Sequence, residues 1–396
     1  MNSSELRSTL ALAGIFGLRM LGLFLLLPVF SIHAKDLPGG DQAFLIGLAL
    51  GIFNIVQACF HIPLGRLSDR IGRKAVVLWG LSLFVAGALI CATKDDLLWI
   101  SIGRGVMGAG AISAAVSAWV ADLTREQVRS QAMALVGASI SLSFAVSLVV
   151  AAPLYRMISL SGMFFVLAIL GILAMLVAYF VLPNNRPEVH AQQDSLKVVF
   201  LRPELMRLNV GVFVLNATQV AMFLVVPRLL EQAGFPLTAH WQIYLSVVLL
   251  SFVFMVPLLV YGEKKQRIRL VLLIAIILLV IAEIIFTQAA SVTLITVALL
   301  VYFVGFNLLE ALQPSLVTRY AKESKGTALG VYNTTQSIGL FSGALLGGYL
   351  MDSLGNVSVF AVGAAMLVGW LIIAWSMGEM PARATNSKDA TATTKP

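Results

Sequence analysis

Twelve apolar runs of about 20 residues follow one another along this chain, near 11–32, 43–64, 75–92, 97–120, 131–154, 162–182, 208–230, 240–261, 270–289, 293–316, 327–350 and 357–377. Hydrocarbon offers no water to a backbone N–H or C=O, so a run of this length crosses a membrane as an α-helix with its bonds closed internally. Only 12% of the residues are charged. That is half the roughly 25% a soluble domain uses to keep its surface hydrated, so most of this surface faces lipid. The chain reads as an all-α membrane protein of twelve transmembrane helices.

The net charge of +8 could be taken for a nucleic-acid footprint, but its distribution says otherwise. Of the 27 Lys and Arg, 21 fall in loops on the side of the N-terminus and four on the opposite side; Arg19 and Arg104 lie inside spans. Cationic loops stay in the cytoplasm. Both termini are therefore expected there, in a multi-pass protein of a bacterial inner membrane, with a lipid bilayer and no nucleic acid as its surroundings. The first run follows Glu5 and Arg7 but is too long for a signal peptide and shows no cleavage site, so it reads as a retained span. Cys59 and Cys91 both sit in spans and read as small packing residues.

The longest internal loop divides the runs into two sets of six. The expected organisation is a six-helix bundle over 1–182, a cytoplasmic linker over 183–207, a second six-helix bundle over 208–380 and a disordered cytoplasmic tail over 381–396. Gly65 follows the second span with basic residues after it. Gly262 follows the eighth with Lys264, Lys265, Arg267 and Arg269 after it. Two such halves with a substrate between them near the midplane form a recurrent transporter plan. No nucleotide-binding loop is visible and no cofactor is expected, so transport would draw on an ion gradient or on the solute's own gradient.

The loop after the second span reads Gly65-x-x-x-Asp69-Arg70-x-Gly72-Arg73-Lys74. This resembles motif A of the major facilitator superfamily. Gly103-Arg104-Gly105-Val106-Met107-Gly108 in the fourth span resembles motif B of its drug/proton antiporter branch. The chain departs from that branch at the end of the fifth span, where Ala151-Ala152-Pro153-Leu154-Tyr155-Arg156 replaces a Gly-Pro-x-x-Gly-Gly pattern. No counterpart of the soluble domain that its most similar subgroup carries after the last span is expected. The resemblance implies the major facilitator fold, two six-helix bundles around a cavity lined by spans one, four, seven and ten.

The cytoplasmic-charge rule alone accounts for Arg66 and Lys74. It does not require Gly65, Asp69, Gly72 or Arg73. Asp69 is placed to meet a helix N-terminus, where the dipole favours negative charge; the resemblance implies the eleventh span, which starts near Gly326-Thr327. Arg73 would then join Asp69 to Asp122 at the end of the fourth span. Such a cluster, with Arg70 beside it, would latch the halves on the cytoplasmic side.

Inside the membrane a charge costs roughly 2.5–3.5 kcal/mol at a span centre, so Arg19, Arg104, Glu283 and Glu310 each need a partner or a proton. By resemblance Arg19, Arg104 and Glu310 line the cavity and Glu283 stands on the outer scaffold. Glu310 is the first candidate for the proton-carrying group, the alternative being a structural ion pair. Arg104 assists proton transfer or pairs statically, and Arg19 binds an anionic substrate group or anchors its span. Phe24, Asn54, Gln57, Asn216, Gln219, Tyr302, Asn307, Tyr332, Asn333 and Gln336 are candidate walls of a mixed pocket suited to an amphipathic molecule; each alternatively bonds between helices. Gly339, Gly343 and Gly347 form a small-residue face for close helix packing.

The expected function is a secondary active transporter, a proton-coupled exporter of small amphipathic or drug-like compounds, acting as a monomer with protons and an organic solute as its partners. A symporter or facilitator is the alternative. An enzyme would need a metal cluster or an activated nucleophile. His33, His61, His190 and His240 show no ligand spacing.

Overall fold

The computed structural model describes residues 1–34, 37–183, 202–321 and 325–378. The side chains of Arg66 and Asp69 and of residues 325–327, most of the expected linker, and the expected tail lie outside the described residues.

All regular secondary structure among the described residues is helical. Helices α1 (Ser3–Phe24) and α2 (Leu27–His33) form the first span, followed by α3 (Ala43–Ile71) and α4 (Arg73–Thr93). Helices α5 (Leu97–Ala109) and α6 (Ser113–Leu123) form the fourth. Helix α7 (Glu126–Phe180) carries the fifth and sixth, with a break at Ser159, whose φ of 60° interrupts the helical path. Then come α8 (Pro203–Gln232), α9 (His240–Lys264), α10 (Ile268–Thr287), α11 (Val292–Tyr320), α12 (Lys325–Leu354) and α13 (Asn356–Trp375).

Nine helices among the described residues are individually long and apolar enough to cross a membrane. The other three expected spans take different forms. The fourth is split where Gly110 leaves helical geometry (ψ 42°). The fifth is the leading part of α7. The eleventh, α12, carries so many glycines and polar side chains that its mean hydropathy falls. The break in span one has a covalent cause: Pro28 has no N–H to offer the carbonyl of Phe24.

Helices α8 and α12 touch along the small-residue face read from the sequence. A Cβ at Gly339, Gly343 or Gly347 would stand 2.5, 2.1 and 3.1 Å from Phe213, Ala217 and Ala221 respectively. The two triplets share a four-residue spacing, so the helices meet backbone to backbone over two turns.

The apolar core is arranged in two parts. One part contains Leu26, Phe30, Phe53, Phe144, Phe223 and Phe303, and runs continuously from the first six spans into the last six. The other, with Leu12, Phe16, Leu64, Trp119 and Leu182, lies entirely within the first six spans at the end that carries the N-terminus. Described packing thus joins the two sets of spans at the end away from the N-terminus.

Candidate functional site

The motif loop is built around one glycine that no other residue replaces easily. Gly72 separates α3 from α4 with φ 99° and ψ 150°, a conformation available to glycine and strained for any residue with a Cβ. The sharp turn puts Arg73 at the first position of α4, where it is 9% exposed. Its Nε donates to Asp122 Oδ2 at 3.0 Å and its Nη1 to Ser68 Oγ at 2.7 Å. Ser68 Oγ donates in turn to the carbonyl of Gly65 at 2.7 Å. The expected Arg73–Asp122 pair is therefore present, and it ties the second, third and fourth spans to one another. Arg70 is exposed. The side chains of Asp69 and of the first residues of α12, where the latch to the eleventh span was expected, lie outside the described residues.

Lys74 does more than obey topology. Its Nζ donates to the carbonyls of Tyr179 and Leu182 at 2.6 and 2.9 Å, satisfying the C-terminal end of α7, where cations are favoured. Nearby, Arg125 Nε donates to Glu5 Oε1 at 2.8 Å, and that carboxylate raises the guanidinium's pKa above its ordinary value. These bonds brace the motif end within the first six spans.

The two intramembrane arginines are both buried, and both are met by uncharged groups. Arg104 Nε and Nη2 donate to the carbonyls of Ala49 and Leu50 on α3 at 2.6 and 2.8 Å. Arg19 Nη1 donates to Ser113 Oγ at 3.0 Å. The Gln57 amide turns its oxygen to accept from Arg19 Nη1 and Nη2 at 3.2 and 3.3 Å, an orientation chosen on its hydrogen bonds. Phe53 lies between them, with Arg19 and Arg104 at 5.7 and 5.6 Å from its ring centroid. Arg104 thus turns toward the second span rather than into an open pocket.

Arg19 Nε and Arg104 Nη1 nonetheless have no hydrogen-bond partner, and on the other side the buried charged group is an acid. Glu310 on α11 makes side-chain contact with Asn216 on α8, yet its Oε1 is sealed from solvent with no hydrogen-bond partner. Gln313, one turn on, is fully buried with neither amide atom bonded, and the Tyr332 hydroxyl is likewise unpartnered. Gln336 Nε2 donates to Asn216 Oδ1 at 3.3 Å, so Asn216, Glu310, Tyr332 and Gln336 form one polar cluster across α8, α11 and α12. Glu283 is 2% exposed and lies beside Gly363 of α13, in a wall shared with Thr218.

Two other candidate cavity residues are taken up by neighbours. Asn307 Nδ2 donates to Ser251 Oγ on α9 at 2.8 Å, and Tyr302 pairs with Thr218 at 3.3 Å. Asn54 is buried with its Oδ1 unbonded, Gln219 is buried, and Asn333 is exposed.

Two features here were missed in the sequence. Phe144 on α7 is the hub of an aromatic plug: its ring centroid lies 5.0 Å from Phe24, 6.3 Å from Phe223 and 5.9 Å from Phe303. Asp352, near the end of α12, accepts from the backbone N–H groups of Ala43 and Phe44 at 2.8 and 2.6 Å. It caps the N-terminus of α3 from another span. Gly47 and Gly348 allow the approach, since a Cβ on either would fall 2.1 and 2.5 Å from the opposite backbone. No local pattern pairs residues 43 and 352; Gly348 four positions before Asp352 was the available signal.

Comparison with known proteins agrees with this architecture. The sequence profile of the Major Facilitator Superfamily matches residues 12–344. The chain belongs to that superfamily. It is 39% identical over 388 residues to the inner membrane transport protein YajR of Escherichia coli, covering 96% of this chain and 85% of that protein. It is 27% identical over 393 residues to multidrug resistance protein 2 of Bacillus subtilis, covering 95% and 96%. In fold it is similar to the human organic anion transporter MFSD10, with a TM-score of 0.67 at 18% identity over 93% of this chain and 99% of that one. The chain is thus a multi-pass membrane transporter of the superfamily and not an enzyme.

Proposed function

We propose that this transporter is a proton-coupled exporter of small amphipathic compounds that works by alternating access, with Glu310 as the proton-carrying group. The observation that carries this reading is the contrast in how buried charge is solvated. A guanidinium cannot shed its proton, and Arg19 and Arg104 are each provided with uncharged acceptors. A carboxylic acid escapes the cost of burial by binding a proton, and Glu310 has an oxygen with no other partner. When the spans rearrange, new surroundings for Glu310 change its hold on that proton. Arg19 and Arg104 supply a fixed positive field on the opposite wall.

The loop from Gly65 to Lys74 acts as the cytoplasmic gate, braced by the Arg73–Asp122 pair. The loop-charge bias places this end in the cytoplasm, so the state with Asp352 on α3 and the aromatic plug sealed is inward-facing. The apolar and polar mixture around Phe24, Asn216 and Gln336 suits an amphipathic solute, and similarity to the Bacillus subtilis multidrug resistance protein supports export. The Ala151–Arg156 segment favours a second reading, a symporter or facilitator for an organic solute.

A proteoliposome assay with an imposed pH gradient and a panel of amphipathic compounds separates the two. Antiport drives solute against the proton gradient. Solute moving with the protons, or indifferent to them, would overturn export.

A further inference from the structure

Glu283 is the buried charge that the transport path leaves over. It lies on α10, about 6 Å (one turn at ~1.5 Å per residue) before that helix ends at Thr287, and is 2% exposed. Among the described residues its carboxyl makes no hydrogen bond or ion pair. It lines a cavity of about 140 Å³ between α8, α10, α12 and α13. The rest of the wall is mostly apolar, with Ala217, Leu346, Gly347, Val359 and Met366 prominent and the hydroxyls of Thr218 and Ser342 its other polar side chains. Room for the acid is left by Gly363, where a Cβ would stand 3.1 Å from the carboxyl.

A cavity of this size and lining holds one ring-sized apolar group, since engineered apolar cavities of about 150 Å³ bind benzene. A lone carboxylate in such a place costs several kcal/mol unless something answers its charge. A ligand that does both is an ammonium attached to a compact apolar body. Leu346 in the cavity wall is 44% exposed, so the wall reaches the lipid-facing surface at this side chain. The carboxyl's depth, one turn from a helix end, matches where an amphipathic amine places its charged head in a bilayer, with the body below in the manner of a snorkelling lysine.

We propose that this cavity is a lateral binding site for small amphipathic amines, entered from the bilayer past Leu346, with Glu283 as the counter-ion of the ammonium. The proposal is independent of export or proton coupling, because binding is read without transport.

The test is saturable binding of 2-phenylethylamine to the purified full-length protein in lipid nanodiscs, with 2-phenylethanol as the uncharged control. Glu283→Gln should weaken the amine at least ten-fold and leave the alcohol unchanged. Leu346→Trp, a change on the lipid-facing surface that keeps the test open if the core variant fails to fold, should block the amine. Wild-type amine affinity in either variant, or no saturable binding to the unmodified protein, overturns the proposal. So does loss in Glu310→Gln with binding intact in Glu283→Gln, which would place the amine in the central cluster.

Discussion

The two sets of spans treat buried charge in different ways. On the first six spans, Arg104 is held by two carbonyls and Arg19 by Ser113 and Gln57, with Phe53 between them. On the last six, Glu310 leaves Oε1 unbonded, and Gln313 and the Tyr332 hydroxyl beside it are unbonded too. The difference follows from the chemistry of the groups. A permanent cation needs permanent acceptors, whereas an acid that cycles between charged and neutral forms is hindered by being fixed in either. Each side keeps unbonded polar atoms, Arg19 Nε and Arg104 Nη1 among them; the difference is that the cations are anchored by fixed acceptors, whereas the acid can meet its need with a proton.

If this contrast is correct, Glu310→Gln has the largest effect. It should abolish proton-driven solute movement while solute exchange persists, as read by parallel driven-uptake and counterflow assays in proteoliposomes. Arg104→Met comes next, because it removes two charge-assisted hydrogen bonds of about 1.5–3 kcal/mol each. Its damage should appear in the thermal stability of the purified protein and reduce driven transport and exchange equally. Loss of coupling alone in Arg104→Met would break the contrast by making the arginine part of the proton path.

Much of the fold was open to reading. Span length comes from bilayer thickness, and orientation was inferred from loop charge, so both needed only local patterns. Gly72 and the Arg73–Asp122 pair were anticipated because a motif marks them. Lys74 was assigned to topology because a lysine near a membrane always has that explanation; its bonds to Tyr179 and Leu182 depend on where the sixth span ends. Asp352 and the Phe144 plug were missed because their partners lie far along the chain, on helices whose rotation no periodicity fixes. Gln313 was within reach, standing one turn from Glu310 on the same helical face.

Two smaller effects compare the gates. Asp69→Asn should slow transport several-fold with membrane insertion intact, since a charge at a helix N-terminus contributes about 0.3–1 kcal/mol and up to ~2 kcal/mol when partly buried; wild-type rates in an inserted variant rule out the cytoplasmic latch. Asp352→Ala removes a cap of about 0.5–2 kcal/mol. It should shift the protein toward opening at the far end, measured as faster labelling of a cysteine introduced beside the plug.

The central claim is that Glu310 exchanges the proton and the arginines do not. Its most direct test is proton release by the purified protein in weakly buffered detergent on addition of a transported amphipathic compound. The account predicts release from the wild type and none from Glu310→Gln, although the variant still binds the compound. Undiminished release from Glu310→Gln would contradict it.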